Sequence, residues 1–286
     1  MYQKFLLAVL LFVSTLFQED GGFVFRIVQR ENTSYRTTTR LVSDSYVDYQ
    51  GSEEVLNEIR SRGVKFPMHV TQKQTIVLLS TTFSRTSDGG IPFSGRIDSA
   101  AKVQYVNGQL HPSTTADPID TSFRMSGSFR AGDITIDKIT RKKIEPALAD
   151  ALKESIAQMM QSVKFPEAPM NVGESFSQKV PMNLPIPGAV PMQVEITTTY
   201  MLREIDAKTA YFDLIQESSA ASEKNATTLE MASSGKGTMV YNRELGQMTN
   251  METESSMSMR VSIGVLTVLS KGNTKSEMSI SVVKNR

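Results

Sequence analysis

Histidine and cysteine, the side chains most readily tuned for general-base and nucleophilic chemistry, are nearly missing from this sequence. Two histidines, His69 and His111, and no cysteine or tryptophan occur among its 286 residues. Without cysteine there is no thiol nucleophile, no thiolate set for zinc or an iron–sulfur cluster, and no disulfide. A Ser-His-Asp arrangement is recognised by geometry rather than composition, and no Gly-x-Ser-x-Gly elbow is present. His111 precedes Pro112 in a polar stretch and reads as a solvated loop residue, whereas His69 follows Phe66-Pro67-Met68 and reads as a strand residue.

Three other groupings invite a chemical reading. Met231-Ala232-Ser233-Ser234-Gly235-Lys236-Gly237-Thr238 superficially resembles a phosphate loop, but Glu230 stands where that motif needs glycine and Thr238 comes one place too late to ligate Mg²⁺. It reads instead as the glycine-rich entrance to a strand through Met239-Val240-Tyr241. The carboxylate pairs Asp133 with Asp137 and Glu53 with Glu54 would serve a hydrolase only at a defined separation in space, and Glu53-Glu54 fits the first turn of a helix, where negative charge complements the dipole. Sixteen methionines occur, with Met248, Met251, Met257 and Met259 close together, and exported thioethers can bind Cu(I). Met257 and Met259 alternate in step with Val261 and Ile263, however, so they read as strand core or as the wall of an adaptable apolar pocket. No cofactor or metal is expected. With 31 basic against 30 acidic residues the chain has no electrostatic footprint for nucleic acid.

The elements that must position these residues are mostly strands. Apolar groups alternate with polar ones at Met257, Met259, Val261, Ile263 and Val265, at Phe123, Met125 and Phe129, at Val194, Ile196, Tyr200 and Leu202, and at Met278, Ile280 and Val282. Period-two alternation predicts half-buried antiparallel strands with one wet face. Asp88-Gly89-Gly90, Asn107-Gly108, Ala131-Gly132-Asp133, Asp206-Ala207-Lys208 and Lys271-Gly272-Asn273 are spaced as hairpin turns.

Two segments break the strand pattern. Residues 52–62 carry a Ser52 cap and Val55, Leu56 and Ile59 at helical spacing, which predicts a short helix over one edge or end of the sheet. A longer stripe of Ile144, Leu148, Leu152, Ile156, Met159, Met160 and Val163 predicts an amphipathic helix over 143–164, with Pro146 in its first turn and Phe165-Pro166 ending it. The prolines that follow, from Pro166 to Pro191, argue against a central strand and for a covering loop or edge that resumes as strand near Gln193. The expected organisation is a signal peptide over 1–20, a β-rich first half over 21–142, the central helix over 143–164 and a β-rich second half over 165–286, the two halves forming one domain. The fold class is mainly β (α+β): a curled antiparallel sheet or half-barrel packed on the central helix.

The first residues give an address. Lys4 precedes the apolar run Phe5 to Phe17, followed by Gln18-Glu19-Asp20. About 13 residues at about 1.5 Å each reach about 20 Å, short of a bilayer core of about 30 Å, so the run reads as a secretory signal and not as a permanent span. Export to a periplasm or the exterior follows, and without cysteine there is no lipid anchor.

On this layout the chain resembles a group of uncharacterised exported bacterial envelope proteins. They share an N-terminal signal, Thr-rich strands, a central amphipathic helix and a run similar to Phe165-Pro166-Glu167-Ala168-Pro169-Met170-Asn171-Val172-Gly173-Glu174-Ser175-Phe176 that opens the second β-half, with Phe176 here where an aromatic such as tryptophan is usual. More loosely, the curled sheet with a helix is similar to the half-barrel of outer-membrane lipoprotein carriers, which hold acyl chains between sheet and helices. Neither resemblance carries a functional residue across. The expected function is a non-enzymatic envelope protein that binds a lipid, a lipoprotein or a protein partner between sheet and helix. The expected pocket comprises Ile144, Leu148, Leu152, Ile156, Met159, Met160, Met257 and Met259. A structural module with a filled core, and a hydrolase using His69 or His111, are the alternatives.

Overall fold

The computed structural model describes residues 22–111, 121–130, 133–140, 163–184, 192–224 and 227–283. The expected signal peptide and residues 143–162 of the expected central helix lie outside them. Stretches rich in Thr, Ser, Val and Met in alternation form the strands β1 (Ser34–Gln50), β2 (Met68–Thr82), β3 (Ile91–Val106), β4 (Gln109–Leu110), β5 (Arg124–Arg130), β6 (Asp133–Thr140), β7 (Ser175–Leu184), β8 (Met192–Ile205), β9 (Thr209–Lys224), β10 (Thr227–Asn242), β11 (Gln247–Ile263) and β12 (Leu266–Val283). One short helix, α1 (Glu53–Ser61), joins β1 to β2. Ser52 caps it by accepting from the Val55 amide, and Leu56 is its buried residue, as the spacing predicts.

All twelve strands belong to one curled, open antiparallel sheet in the order β6-β5-β3-β2-β1-β12-β11-β10-β9-β8-β7, with β4 paired to β3. The first half of the chain meanders outward from β1, and the second half meanders inward to β12. The seam between them is a 17-pair ladder from Ser34↔Val283 to Gln50↔Thr267. Neither β6 nor β7 has a partner on its outer side among the described strands. Pro181 sits on edge strand β7, where a missing amide costs no ladder bond.

Because paired residues share a face, the registers divide the whole sheet into two surfaces. One, the inner face, carries Tyr35, Leu41 and Val47 of β1, Ile76 of β2, Phe93 of β3, Met125 of β5, Leu202 of β8, Phe212 of β9, Met239 of β10, Val261 of β11 and Ile280 of β12. The outer face carries the charges, among them Arg36, Arg40, Asp44, Glu252, Glu254, Lys271, Lys275 and Glu277. The alternations expected at 123–129, 194–202, 257–263 and 278–282 all point their apolar members inward.

Four expectations change. Lys271-Gly272-Asn273 is not a turn but the middle of β12; a Cβ on Gly272 would lie 2.8 Å from the Asp44 carbonyl oxygen, so glycine serves close strand approach here. The turn between β11 and β12 falls instead at Gly264-Val265, with Gly264 at φ +58° and Val265 exposed outside the strand. Val163 and Lys164 lie outside any helix: Pro166 restricts Phe165 to extended conformations, and the Lys164 amide donates to Gln178 Oε1 at 3.2 Å. Gly235 and Gly237 are not the entrance to a strand but its interior, since β10 begins at Thr227.

Gly237 sets up a test of this close approach. A Cβ there would clash with the Glu252 carbonyl oxygen and stand 2.9 Å from Thr253 Cγ2. Gly237→Ala is therefore expected to lower unfolding free energy by about 1–3 kcal/mol, the usual cost of overpacking, against about 0.5 kcal/mol or less for the neighbouring surface change Thr238→Ala. Urea midpoints measure both; equal midpoints would contradict the packing.

Candidate functional site

The inner face is the candidate site, and its composition is unusual for a surface that is not sealed. Among residues with described side chains, Lys102 is the single charged one on its strands. Water-facing positions of a sheet normally carry Lys, Glu or Arg, and this sheet has placed those residues on the other side. Yet the inner face is only partly covered. Leu41, Val47, Ile76 and Ile280 are half-buried, and Met257 retains 39% exposure.

Three zones follow one another along the strands. At one end, the extended segment 22–30 and residues 163–170 lie across β8, β9 and β10. Phe25 is 2% exposed and packs on Phe165 (5.2 Å between ring centroids), Phe212 (5.1 Å) and Tyr241 (5.3 Å). The two covering segments are tied together by Phe23 and Met170, whose amides donate to each other's carbonyls at 2.9 and 3.0 Å, and the Tyr241 hydroxyl donates to the Arg26 carbonyl at 2.6 Å. Lys164 pairs with Asp133 (3.0 Å), joining this cap to edge strand β6. On the neighbouring wing Phe93, Met125, Ile136 and Ile139 form a second cluster.

In the middle a row of uncharged hydrogen-bonding or side-chain-free residues crosses nine strands in register: Gln104, Gln72, Ser43, Thr274, Ser255, Gly235, Gln216, Thr198 and Gln178. Beyond it a second apolar zone holds Val194, Leu229, Met231 and Val261, with Met259 packed against them. Of the expected pocket residues, Met257 and Met259 are thus on this face, and Ile144, Leu148, Leu152, Ile156, Met159 and Met160 lie outside the described residues. Met251 and Met259 are eight residues apart on β11, about 27 Å at about 3.4 Å per residue, so the methionine run does not gather thioethers around a metal.

Two features of this site were not legible as such. Phe23, Phe25 and Ile27 supply most of the cap from a segment with no strand partner beyond the Phe23–Met170 bridge. The Phe165–Phe176 run builds the rest. Phe165 enters the aromatic cluster, Gly173 turns at φ +91°, Asn171 donates its amide to Glu174 Oε2 at 2.8 Å, and Phe176 stacks on Tyr200 at 4.9 Å. The motif that carried the resemblance therefore does structural work here. At the same end the Tyr35 hydroxyl, on the inner face and 6% exposed, has no hydrogen-bond partner among the described residues.

Of the residues weighed for hydrolysis, Asp133 borders the cap through Lys164, and the histidines and Glu53 do not join it there. His69 lies on the outer face, with Nε2 hydrogen-bonded to the Asp44 carboxylate and its ring stacked on Tyr46. The His111 amide donates to the Gln104 carbonyl at 2.8 Å. Asp133 is held by Lys164 and Glu53 by Arg60. No group of three or more potential metal ligands occurs among the described residues, and no helix among them is long and apolar enough to cross a membrane.

Burial holds the Tyr200 and Tyr241 phenols above the usual tyrosine range. A raised folded-state value means the stability these phenols contribute is complete below about pH 10, where unfolded tyrosine titrates, and is lost as pH rises through the folded value. Stability is thus expected to hold to about pH 10 and to decline above it, less steeply in Tyr200→Phe. Denaturant melts at stepped alkaline pH measure this; equal slopes for the two proteins would contradict it.

No family model and no curated protein matches the chain. Among solved structures it is similar to lipovitellin, in a structure titled for its lipid–protein interactions, at 11% identity and a TM-score of 0.41 over 90% of this chain. The chain spans only 26% of that lipovitellin chain. It is also similar to a porin of Rh. blastica, at 9% identity and a TM-score of 0.28, covering 84% of this chain and 99% of the porin. Scores this low transfer no function.

Proposed function

We propose that this is an exported, non-enzymatic protein of the cell envelope that holds a lipid, or the acyl chains of a lipoprotein, against the inner face of its sheet. The observation that carries the reading is the segregation of charge. An inner face that spans the sheet with Lys102 as its one described charge, and that still leaves Leu41, Ile76 and Met257 partly open, suits a dehydrated contact with an apolar molecule. Flexible methionines line the opening, which favours a ligand of variable shape.

Titration with dansyl-undecanoic acid tests this. Saturable enhancement of the dansyl emission with micromolar affinity, displaced by an unlabelled long-chain fatty acid, is expected. A flat titration would reject the reading.

A further inference from the structure

The outer face holds a second site of different chemistry. Over the middle of β1, β12, β11 and β10 lies a hollow of 660 Å³, bordered mainly by outer-face residues together with Ser233, Met257 and Gly272, and continuous with one of 580 Å³ through the shared residues Asp44, Ser234, Ser256 and Asn273. Both lie within the roughly 300–1,000 Å³ of small-ligand sites. Tyr46 lines the hollow from β1 and stays 58% exposed, although the ring is large and mostly apolar. His69 stacks on one face of that ring, with centroids 4.5 Å apart and planes 7° from parallel, and is itself held by Asp44. His69 and Lys271 are the register partners of Tyr46 on its two sides, so the ring face opposite His69 is turned toward β12 and the hollow. The stack fixes the ring as a rigid wall before anything binds, and this lowers the entropy cost of using it.

The polar groups around this wall are directed as well. Ser256 Oγ donates to Asn273 Oδ1 at 2.7 Å, which leaves the amide N–H groups of Asn273 as its donors. Asp44 supplies a carboxylate acceptor beside them. Asp44 and Glu254 face Lys236, Lys271 and Lys275, so opposite charges nearly cancel and neither a polyanion nor a polycation is favoured.

We propose that this hollow binds a neutral saccharide chain. The C–H face of a pyranose ring lies on Tyr46, and its vicinal hydroxyls donate to the Asp44 carboxylate and accept from the Asn273 amide. An exposed flat ring next to a carboxylate and an amide is the combination such a ligand needs: an apolar face to cover and hydroxyls to satisfy on both the donor and acceptor side. From Tyr46 to Val42 the groove follows four residues of β1, about 13 Å at about 3.3 Å each, enough for a short oligosaccharide.

Isothermal titration with maltohexaose, cellohexaose and chitohexaose tests the proposal. At least one is expected to bind wild type with a Kd of about a millimolar or better, and that sugar should bind Tyr46→Ala at least about tenfold more weakly. Tyr46→Phe, which keeps the ring, and Tyr105→Ala, which removes an outer-face tyrosine away from the hollow, should bind it like wild type. Ser234→Tyr, filling the hollow from β10, should abolish binding and does not depend on how Tyr46→Ala folds. Absence of binding by all three sugars, or equal affinity in Tyr46→Ala and wild type, would overturn the proposal.

Discussion

Replacing Phe25 with alanine is expected to lower the unfolding free energy by about 3–5 kcal/mol, the range for emptying a buried aromatic site. Phe25 belongs to no strand, yet it is 2% exposed and meets four other rings, Phe23, Phe165, Phe212 and Tyr241. Those contacts bind two chain segments, 22–30 and 163–170, to the inner face of β9 and β10. Loss of the ring should therefore loosen the cap as a unit. At roughly 2–4 °C per kcal/mol, Tm should fall by on the order of 10 °C. Phe83→Ala removes a ring that is 47% exposed and should change stability by about 0.5 kcal/mol or less. Calorimetry of the two variants separates them, and a Phe25→Ala loss below about 1 kcal/mol would show that the cap is not held by this cluster.

The second large effect concerns ligand affinity. Met257→Lys places a charge on the open part of the inner face. Met257 is already 39% exposed, so the free protein can hydrate the ammonium group and its Tm should change little. A bound acyl chain would cover part of that charge, and stripping its water is costly wherever the ammonium group reaches neither solvent nor the ligand's own carboxylate. Affinity for dansyl-undecanoic acid is expected to fall at least about tenfold, equivalent to about 1.4 kcal/mol. Met257→Leu should retain binding, and so should Ser258→Lys, one residue along but on the outer face. Equal affinity in Met257→Lys and wild type would place the ligand elsewhere.

Strand content and face were legible because period-two alternation is a local property. Met257, Met259, Val261 and Ile263 face inward as their spacing requires, and Ser52 and Leu56 fix α1 for the same local reason. Strand length and order were less accessible. Glycine has one meaning in a turn and another in a strand interior, and the Gly272 neighbourhood is decided by how closely β1 approaches β12, two strands some 230 residues apart in sequence. That seam has no local signal, because one antiparallel partner of the right pattern is as good as another until the whole sheet is built. The cap was hidden for a related reason. Phe23, Phe25 and Ile27 alternate like a strand, but their partners are side chains of β9 and β10 rather than a ladder. The uncharged row across nine strands emerges only when nine separate stretches are placed in register. The outer hollow depends on Tyr46 and His69 being register partners, which their separation in sequence does not disclose.

An apolar molecule held against the inner face would stay with the protein through purification. Native mass spectrometry of the full-length protein, purified without detergent from an envelope fraction, tests this most directly. The expected spectrum contains a population heavier than the polypeptide by the mass of one or more lipids, and that population should be reduced in Met257→Lys. A single species at the polypeptide mass in both proteins, with no lipid recovered on organic extraction, would contradict the claim.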